Sequence, residues 1–160
     1  MSNPTTITID VHSLAETESF GRRLGANLFP GSVVALIGTL GAGKTHLCRA
    51  IADGLGIDNV NVVNSPTFVL IQEYEARLPI YHFDAYRLAT ENEFADLGVH
   101  EYFEGKGVCL VEWADKVPAC LPAERLEIRI AIIGETSRQF ELTARGERYV
   151  RLIAHLPLAA

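Results

Sequence analysis

Eight consecutive residues, Gly38 to Thr45, read Gly-Thr-Leu-Gly-Ala-Gly-Lys-Thr. They fit the phosphate-binding loop pattern G-x-x-x-x-G-K-[ST]. Glycines in such a loop let successive backbone N–H groups turn toward phosphate oxygens. A helix starting at the end of the loop adds its unpaired N-terminal N–H groups and the positive end of its dipole. Lys44 is long enough to reach β- and γ-phosphates, and the Thr45 hydroxyl can ligate Mg²⁺. Two acids follow apolar runs elsewhere: Glu112 after Val108-Cys109-Leu110-Val111, and Asp84 after Ile80-Tyr81-His82-Phe83. A carboxylate ending a buried strand beside a phosphate loop supplies or positions a hard oxygen for the metal. Glu112 has the cleaner buried strand and takes the metal-linked role. Asp84 is the candidate for holding metal water or orienting an attacking water.

Further residues belong to the same constellation. Ser65-Pro66-Thr67 is a switch-like turn in which Thr67 can sense the γ-phosphate and metal through its hydroxyl or backbone. Trp113, the only tryptophan, leaves the strand end directly after Glu112, where it can face nucleotide or a partner. His82 shares a strand face with Asp84 by period-two spacing and reads as a packing or hydrogen-bonding neighbour rather than a catalyst. Arg87 and Arg138 are the candidates for an arginine finger. The chain has no Asn-Lys-x-Asp guanine-reading motif, which favours ATP over GTP.

These residues need a scaffold of strands and helices in a set order. Val33 to Ile37 is a continuous apolar run of the buried-strand type, and His46 to Leu55 continues as a helix that Gly54 and Gly56 end. Thr6 to Val11 alternates as a half-buried strand. Ser13 with Glu16 forms a capping box for a helix to about Leu28, and Pro30-Gly31 then breaks the chain. Asn61 to Val63 is weakly strand-like. Phe68 to Ile71 and Ile80 to Phe83 read as strands joined through the charged loop at Glu75 to Pro79 as a hairpin. Thr90 with Glu93 caps a short helix to about Leu97. Leu126 to Ile133 and Gln139 to Thr143 read as a late antiparallel pair, and Glu147 to His155 as a final helix. Early alternation of strand and helix followed by pairing of strands predicts an α/β fold: a phosphate-loop NTPase-like mixed sheet flanked by helices on both faces. Its ligands should sit at the carboxyl ends of the parallel strands.

The 160 residues argue for one domain, and 48% hydrophobic with 21% charged content is ordinary for a globular protein. The net charge of −6 gives no sequence-independent attraction to nucleic acid, so any work near RNA is expected to go through protein partners. Cys48, Cys109 and Cys120 show no C-x-x-C spacing, which points to buried thiols rather than disulfides or a zinc site. The first residues lack a basic segment followed by an apolar one, and no apolar run reaches the length of a membrane span. A cytoplasmic protein with no membrane contact is the expectation.

The motifs taken together resemble a known family. Gly-x-Leu-Gly-Ala-Gly-Lys-Thr, Ser-Pro-Thr-Phe, Tyr-His-Phe-Asp-x-Tyr-Arg-Leu, Leu97-Gly98, Tyr102-Phe103 and Cys-Leu-Val-Glu-Trp occur in the order found in the TsaE family, formerly YjeE, over about Ser13 to Arg129. The resemblance implies an ATPase that works with the TsaB–TsaD complex. Those partners transfer a threonylcarbamoyl group, from an adenylate made by TsaC, to the adenosine beside the anticodon of tRNAs reading ANN codons. ATP hydrolysis would reset the complex between rounds, with tRNA met only through the complex. The resemblance assigns the phosphates to Gly41, Ala42, Gly43, Lys44 and Thr45, and Mg²⁺ to Thr45 and Glu112. It gives switch and hydrolytic roles to Thr67 and Asp84, the nucleotide or partner side to Trp113, and the base to the helix start near Ser13 and Leu14. Thr39 stands where the family usually has Asp, and Ala114 where Pro is common. Two other readings of a small phosphate-loop protein are a small-molecule kinase and a nucleotide-gated binding module with negligible turnover. The kinase would need an arginine-rich lid, and the sequence has no such cluster.

Overall fold

Among residues 3–39, 41–66 and 70–156, which the computed structural model describes, seven strands join one sheet. They are β1 (Thr5–Val11), β2 (Val33–Gly38), β3 (Ile71–Tyr74), β4 (Ile80–Asp84), β5 (Val108–Glu112), β6 (Arg125–Ile132) and β7 (Arg138–Arg145). Their order across the sheet is β1-β7-β6-β2-β5-β4-β3. β2 runs parallel to both of its neighbours, β5 and β6, and β4 runs parallel to β5. β7 is antiparallel to β1 and β6, and β3 is antiparallel to β4. The central position of β2 and β5 explains their unbroken apolar sequence. Every residue of β5 is buried, as is every residue of β2 before its final glycine.

Successive residues of β2 feed two different cores. Val34 and Leu36 join Phe20 and Leu24 of α1 (Leu14–Asn27), Leu47 and Ile51 of α2 (Lys44–Gly54), and Leu152 of α5 (Glu147–Ala154). Val33, Ala35 and Ile37 join Phe94 of α3 (Glu91–Ala95) and Val99 and Phe103 of α4 (Val99–Phe103) on the opposite face. Burying each such large side chain stabilises the fold by about 1.5–3 kcal/mol before ordering entropy is subtracted. The expected mixed sheet with helices on both faces is thus present. α5 is also tied to the phosphate-loop strand by a buried contact, in which the Val33 N–H donates to the Tyr149 hydroxyl at 2.9 Å.

Both expected N-caps form, and in each the glutamate reaches back to the N–H just before the cap. The Glu16 N–H donates to Ser13 Oγ at 3.1 Å, and its carboxylate accepts the His12 N–H at 3.0 Å. The Glu93 N–H donates to Thr90 Oγ1 at 3.2 Å. Other expectations need correction. Asn61 to Val63 is no strand: Val60–Val62 is a 3₁₀ turn, because the Asn59 side chain accepts the Asn61 N–H and closes a local cap. The hairpin lies later than expected, with β3 starting at Ile71, since Leu70 takes a left-handed conformation (φ 71°) that no strand continues. Phe68 and Val69 lie outside the described residues. The helix after Thr90 ends at Ala95, and Gly98 in a left-handed conformation opens α4, which the sequence reading did not anticipate.

α1 and α2 approach each other closely, and three glycines make this possible. A β-carbon on Gly21 would run into Ala50, one on Gly25 into the Ile51 carbonyl, and one on Gly54 into the Arg22 carbonyl. Ala is intrinsically the better helix residue by about 1 kcal/mol, but overpacking against backbone that cannot yield costs about 1–3 kcal/mol and more. Gly25→Ala is therefore expected to lower stability by about 2 kcal/mol, read as a reduced urea midpoint at unchanged slope. A midpoint at or above the parent's would show that the helices can separate without loss.

Candidate functional site

β2, β5 and β4 run side by side in one direction, so their carboxyl ends reach the same edge of the sheet. Register pairs Leu36 with Glu112 and Glu112 with Asp84. The phosphate-binding loop leaves β2 at this edge and turns into α2. Gly41 (φ 81°) and Gly43 (φ 104°) hold conformations that side chains disfavour. Gly43 is the N-cap of α2 and has no side chain with which to satisfy the first-turn N–H groups. Those groups face a cleft of about 380 Å³ lined by Gly41, Lys44, Thr45, Asp84, Glu112 and Trp113, among others. The site therefore concentrates helix-end N–H groups, one ammonium and hard oxygens in a single concavity.

Lys44 is 5% exposed, and its Nζ donates to the Gly38 carbonyl at 2.6 Å and the Thr39 carbonyl at 2.9 Å. Burial draws its pKa below the ordinary lysine value, while the charges of Glu112, Asp115 and Asp84 act in the opposite direction. The ammonium lies 3.7 Å from the centroid of the Trp113 ring, a cation–π contact. Trp113 reaches it from a left-handed backbone (φ 59°, ψ 37°), which costs a bulky residue on the order of 1–3 kcal/mol. Its indole also packs on Tyr86 at 4.8 Å between centroids. An ammonium held by neutral carbonyls and an aromatic face is well suited to an anionic ligand.

Glu112 is buried at the end of β5 and surrounded by donors. Thr45 Oγ1 stands 3.0 and 3.1 Å from its two oxygens, and His82 Nε2 is 2.6 Å from Oε2. The Cys48 thiol, one turn beyond Thr45 on α2, meets the same carboxylate. Cys48, His82 and Glu112 have their ligand atoms within 4.8 Å of one another. They read as a hydrogen-bonded set rather than a metal trio, because an ion among them would displace the short His82–Glu112 contact. Burial, reinforced by Glu112 and Asp84, also holds the Cys48 thiol well above its ordinary pKa, in its protonated form. Asp84 accepts from Ser65 Oγ at 2.5 Å and from the Tyr86 N–H at 2.8 Å. Arg49 brings Ser65 within reach by gripping the Val63 carbonyl at 3.1 Å through Nε and at 2.9 Å through a terminal nitrogen.

The structure thus gathers Gly41, Gly43, Lys44, Thr45, Asp84, Glu112 and Trp113 into one cleft, with Ala42 buried behind the loop. Thr67 and Leu40 lie outside the described residues. Leu14 is 55% exposed at the start of α1 and does not line the described cleft. The Arg138 guanidinium is engaged behind the loop. Its Nε donates to the Ala42 carbonyl at 3.0 Å and one terminal nitrogen to the Gly134 and Ser137 carbonyls. That placement fits a brace of the loop rather than a finger reaching into the cleft. Arg87 is exposed in the turn after Asp84. Cys48 and Tyr86 were not read from sequence as site residues, and Ser65 was read only as part of the switch-like turn, with no partner assigned to it. Of these, only Cys48 carried a helical-spacing signal, three positions after Thr45.

The buried thiols give a direct check. Burial pushes Cys109 up to about 12, so its thiolate fraction at pH 8 is about one in ten thousand. Iodoacetamide at pH 8 is expected to leave Cys48 and Cys109 unmodified in the folded protein and to alkylate both in denaturant, as read by mass spectrometry. Rapid modification of Cys48 without denaturant would contradict its packing against Glu112.

Comparison with known proteins identifies the family and the fold. The family described as threonylcarbamoyl adenosine biosynthesis protein TsaE matches residues 11–140. A Bacillus subtilis tRNA threonylcarbamoyladenosine biosynthesis protein TsaE is 48% identical over 142 residues, covering 88% of this chain and 87% of the relative. The Treponema pallidum protein of the same name is 40% identical over 127 residues, covering 79% and 93%. The crystal structure of Bacillus subtilis YdiB superposes with a TM-score of 0.80 at 37% identity, covering 98% of this chain and 97% of that one. The loop and both strand-end acids lie within the family's matched span, and the chain belongs to the TsaE family.

Proposed function

We propose that this chain binds and hydrolyses Mg-ATP as a subunit required for threonylcarbamoyladenosine modification of tRNA. On this reading it works in the cytoplasm with the TsaB and TsaD proteins and drives the turnover of their complex. The observation that carries the ATPase reading is the Thr45–Glu112 contact at the mouth of a phosphate-loop cleft, with Lys44 beside it. A hydroxyl and a carboxylate are hard oxygen donors of the kind Mg²⁺ takes, so the residues present fit that ion. The pathway reading is supported by the names of the relatives.

Each residue has a task that follows from its position. The first-turn N–H groups of α2 and the loop glycines orient the triphosphate. Lys44 exchanges its two carbonyl partners for phosphate oxygens and offsets negative charge gathering on the γ-phosphoryl group. Thr45 and Glu112 would hold Mg²⁺, which when bound neutralises phosphate charge and fixes the triphosphate geometry. Asp84, kept in place by Ser65 and the Tyr86 N–H, accepts a hydrogen bond from the attacking water and so aims it. Trp113 and Tyr86 form an aromatic wall that keeps bulk water from Lys44. With a net charge of −6, contact with tRNA is assigned to the partners rather than to this chain.

ATP turnover should be slow for the protein alone and should rise clearly when TsaB and TsaD are added. No rise with active partners would sink the partnership, and a phosphorylated small molecule in place of free phosphate would favour a kinase. Lys44→Ala should weaken ATP binding at least tenfold in calorimetry, since the phosphates lose their main cation. Glu112→Ala should lower Mg²⁺-dependent hydrolysis by roughly a hundredfold while reducing nucleotide affinity far less. Equal losses in both would remove Glu112 from the metal-linked role.

A further inference from the structure

His82 is completely buried on β4 and lies between Glu112 and Tyr74 of β3. Its Nε2 is 2.6 Å from Glu112 Oε2, and its Nδ1 is 3.5 Å from the Tyr74 hydroxyl. The Tyr74 hydroxyl is in turn hydrogen-bonded by the backbone of Asn64. One tautomer satisfies both ring contacts: Nε2–H donates to the carboxylate, and Nδ1 accepts from Tyr74.

The geometry at Glu112 requires such a donor. Thr45 Oγ1 is nearly equidistant from the two carboxylate oxygens, at 3.0 and 3.1 Å, and has a single proton to give. A hydroxyl so placed cannot fix the rotation of the carboxylate plane. The Cys48 thiol is too weak a donor to do so. The imidazole breaks the symmetry, because it engages Oε2 at short range and leaves Oε1 beside Thr45. Packing alone explains less, since a leucine or phenylalanine would fill the volume next to Leu110 without donating a hydrogen bond.

We propose that His82 is a positioning residue that orients the Glu112 carboxylate for cation binding, with Tyr74 fixing the imidazole. This rests on the reading of Glu112 as a Mg²⁺ ligand. Asn64 and Ser65 are consecutive, and the two lead to different acids. Asn64 connects through Tyr74 and His82 to Glu112, and Ser65 contacts Asp84 directly. The segment entering Ser65-Pro66 therefore touches both strand-end acids through short chains of hydrogen bonds.

The test is Mn²⁺ binding to the protein–ADP complex, read by the electron paramagnetic resonance signal of free Mn²⁺, beside ADP affinity measured in EDTA. His82→Leu is expected to weaken Mn²⁺ binding about 10–100-fold, the usual loss when an outer partner of a metal ligand is removed. Metal-free ADP affinity should stay within about twofold of the parent, and His82→Gln should recover most of the Mn²⁺ affinity through its amide N–H. Unchanged Mn²⁺ binding in His82→Leu, or an equal loss of Mn²⁺ and metal-free ADP binding, overturns the proposal. Should His82→Leu fail to fold, Tyr74→Phe carries the test, with a shift of about threefold in the same direction. Unchanged Mn²⁺ affinity in that variant overturns it equally. Absence of ADP binding by the parent protein would instead refute the nucleotide reading on which the proposal stands.

Discussion

A carboxylate taken out of water at the end of β5 is the constraint around which this molecule is arranged. Desolvating Glu112 would be prohibitive without compensation, and removing one partner from such a buried group leaves an uncompensated charge. Its compensation comes from three side chains on two elements: Thr45 and Cys48 on α2, and His82 on β4. Those elements are correctly placed only if α2 docks on the sheet and β4 pairs in register with β5. The glycine contacts between α1 and α2, the parallel register of β4 and β5, and the β3–β4 hairpin that delivers Tyr74 all converge on this one group.

A second tension lies across the cleft. Trp113 occupies a left-handed conformation that suits glycine, yet it places its ring under a lysine that burial disfavours as a cation. The indole face and two loop carbonyls supply part of what water would have given the ammonium. This arrangement keeps the positive charge dehydrated and close to the helix N-terminus. A multiply charged ligand then gains more from it than it would from a lysine in solvent.

What could be read in advance follows from how locally each feature is encoded. The phosphate-binding loop is a contiguous pattern, so its strand, turn and helix were legible as a unit. Glu112 and Asp84 were legible because each ends an apolar run, and the capping boxes because their partners stand three residues apart. Spacing puts His82 on a strand face with Asp84 and Cys48 on a helix face with Thr45, but that both meet Glu112 depends on how β4 and α2 dock, which spacing does not encode. α4 was missed because five residues behind a glycine give too short a periodic signal. The start of β3 was misplaced because Leu70 is apolar but left-handed. Arg138 was read as a candidate arginine finger, whereas the strand order brings it behind the loop to the Ala42 carbonyl.

That last contact bears on how the protein is made. Arg138 opens β7, two strands away from β2 across β6, yet it grips the carbonyl of a loop residue almost a hundred positions earlier. Tyr149 makes a comparable late contact with the first residue of β2. During synthesis the loop sequence leaves the ribosome long before either partner exists. The loop and its strand therefore reach their braced form only once β7 and α5 have docked, so the fold around them is completed late rather than locally.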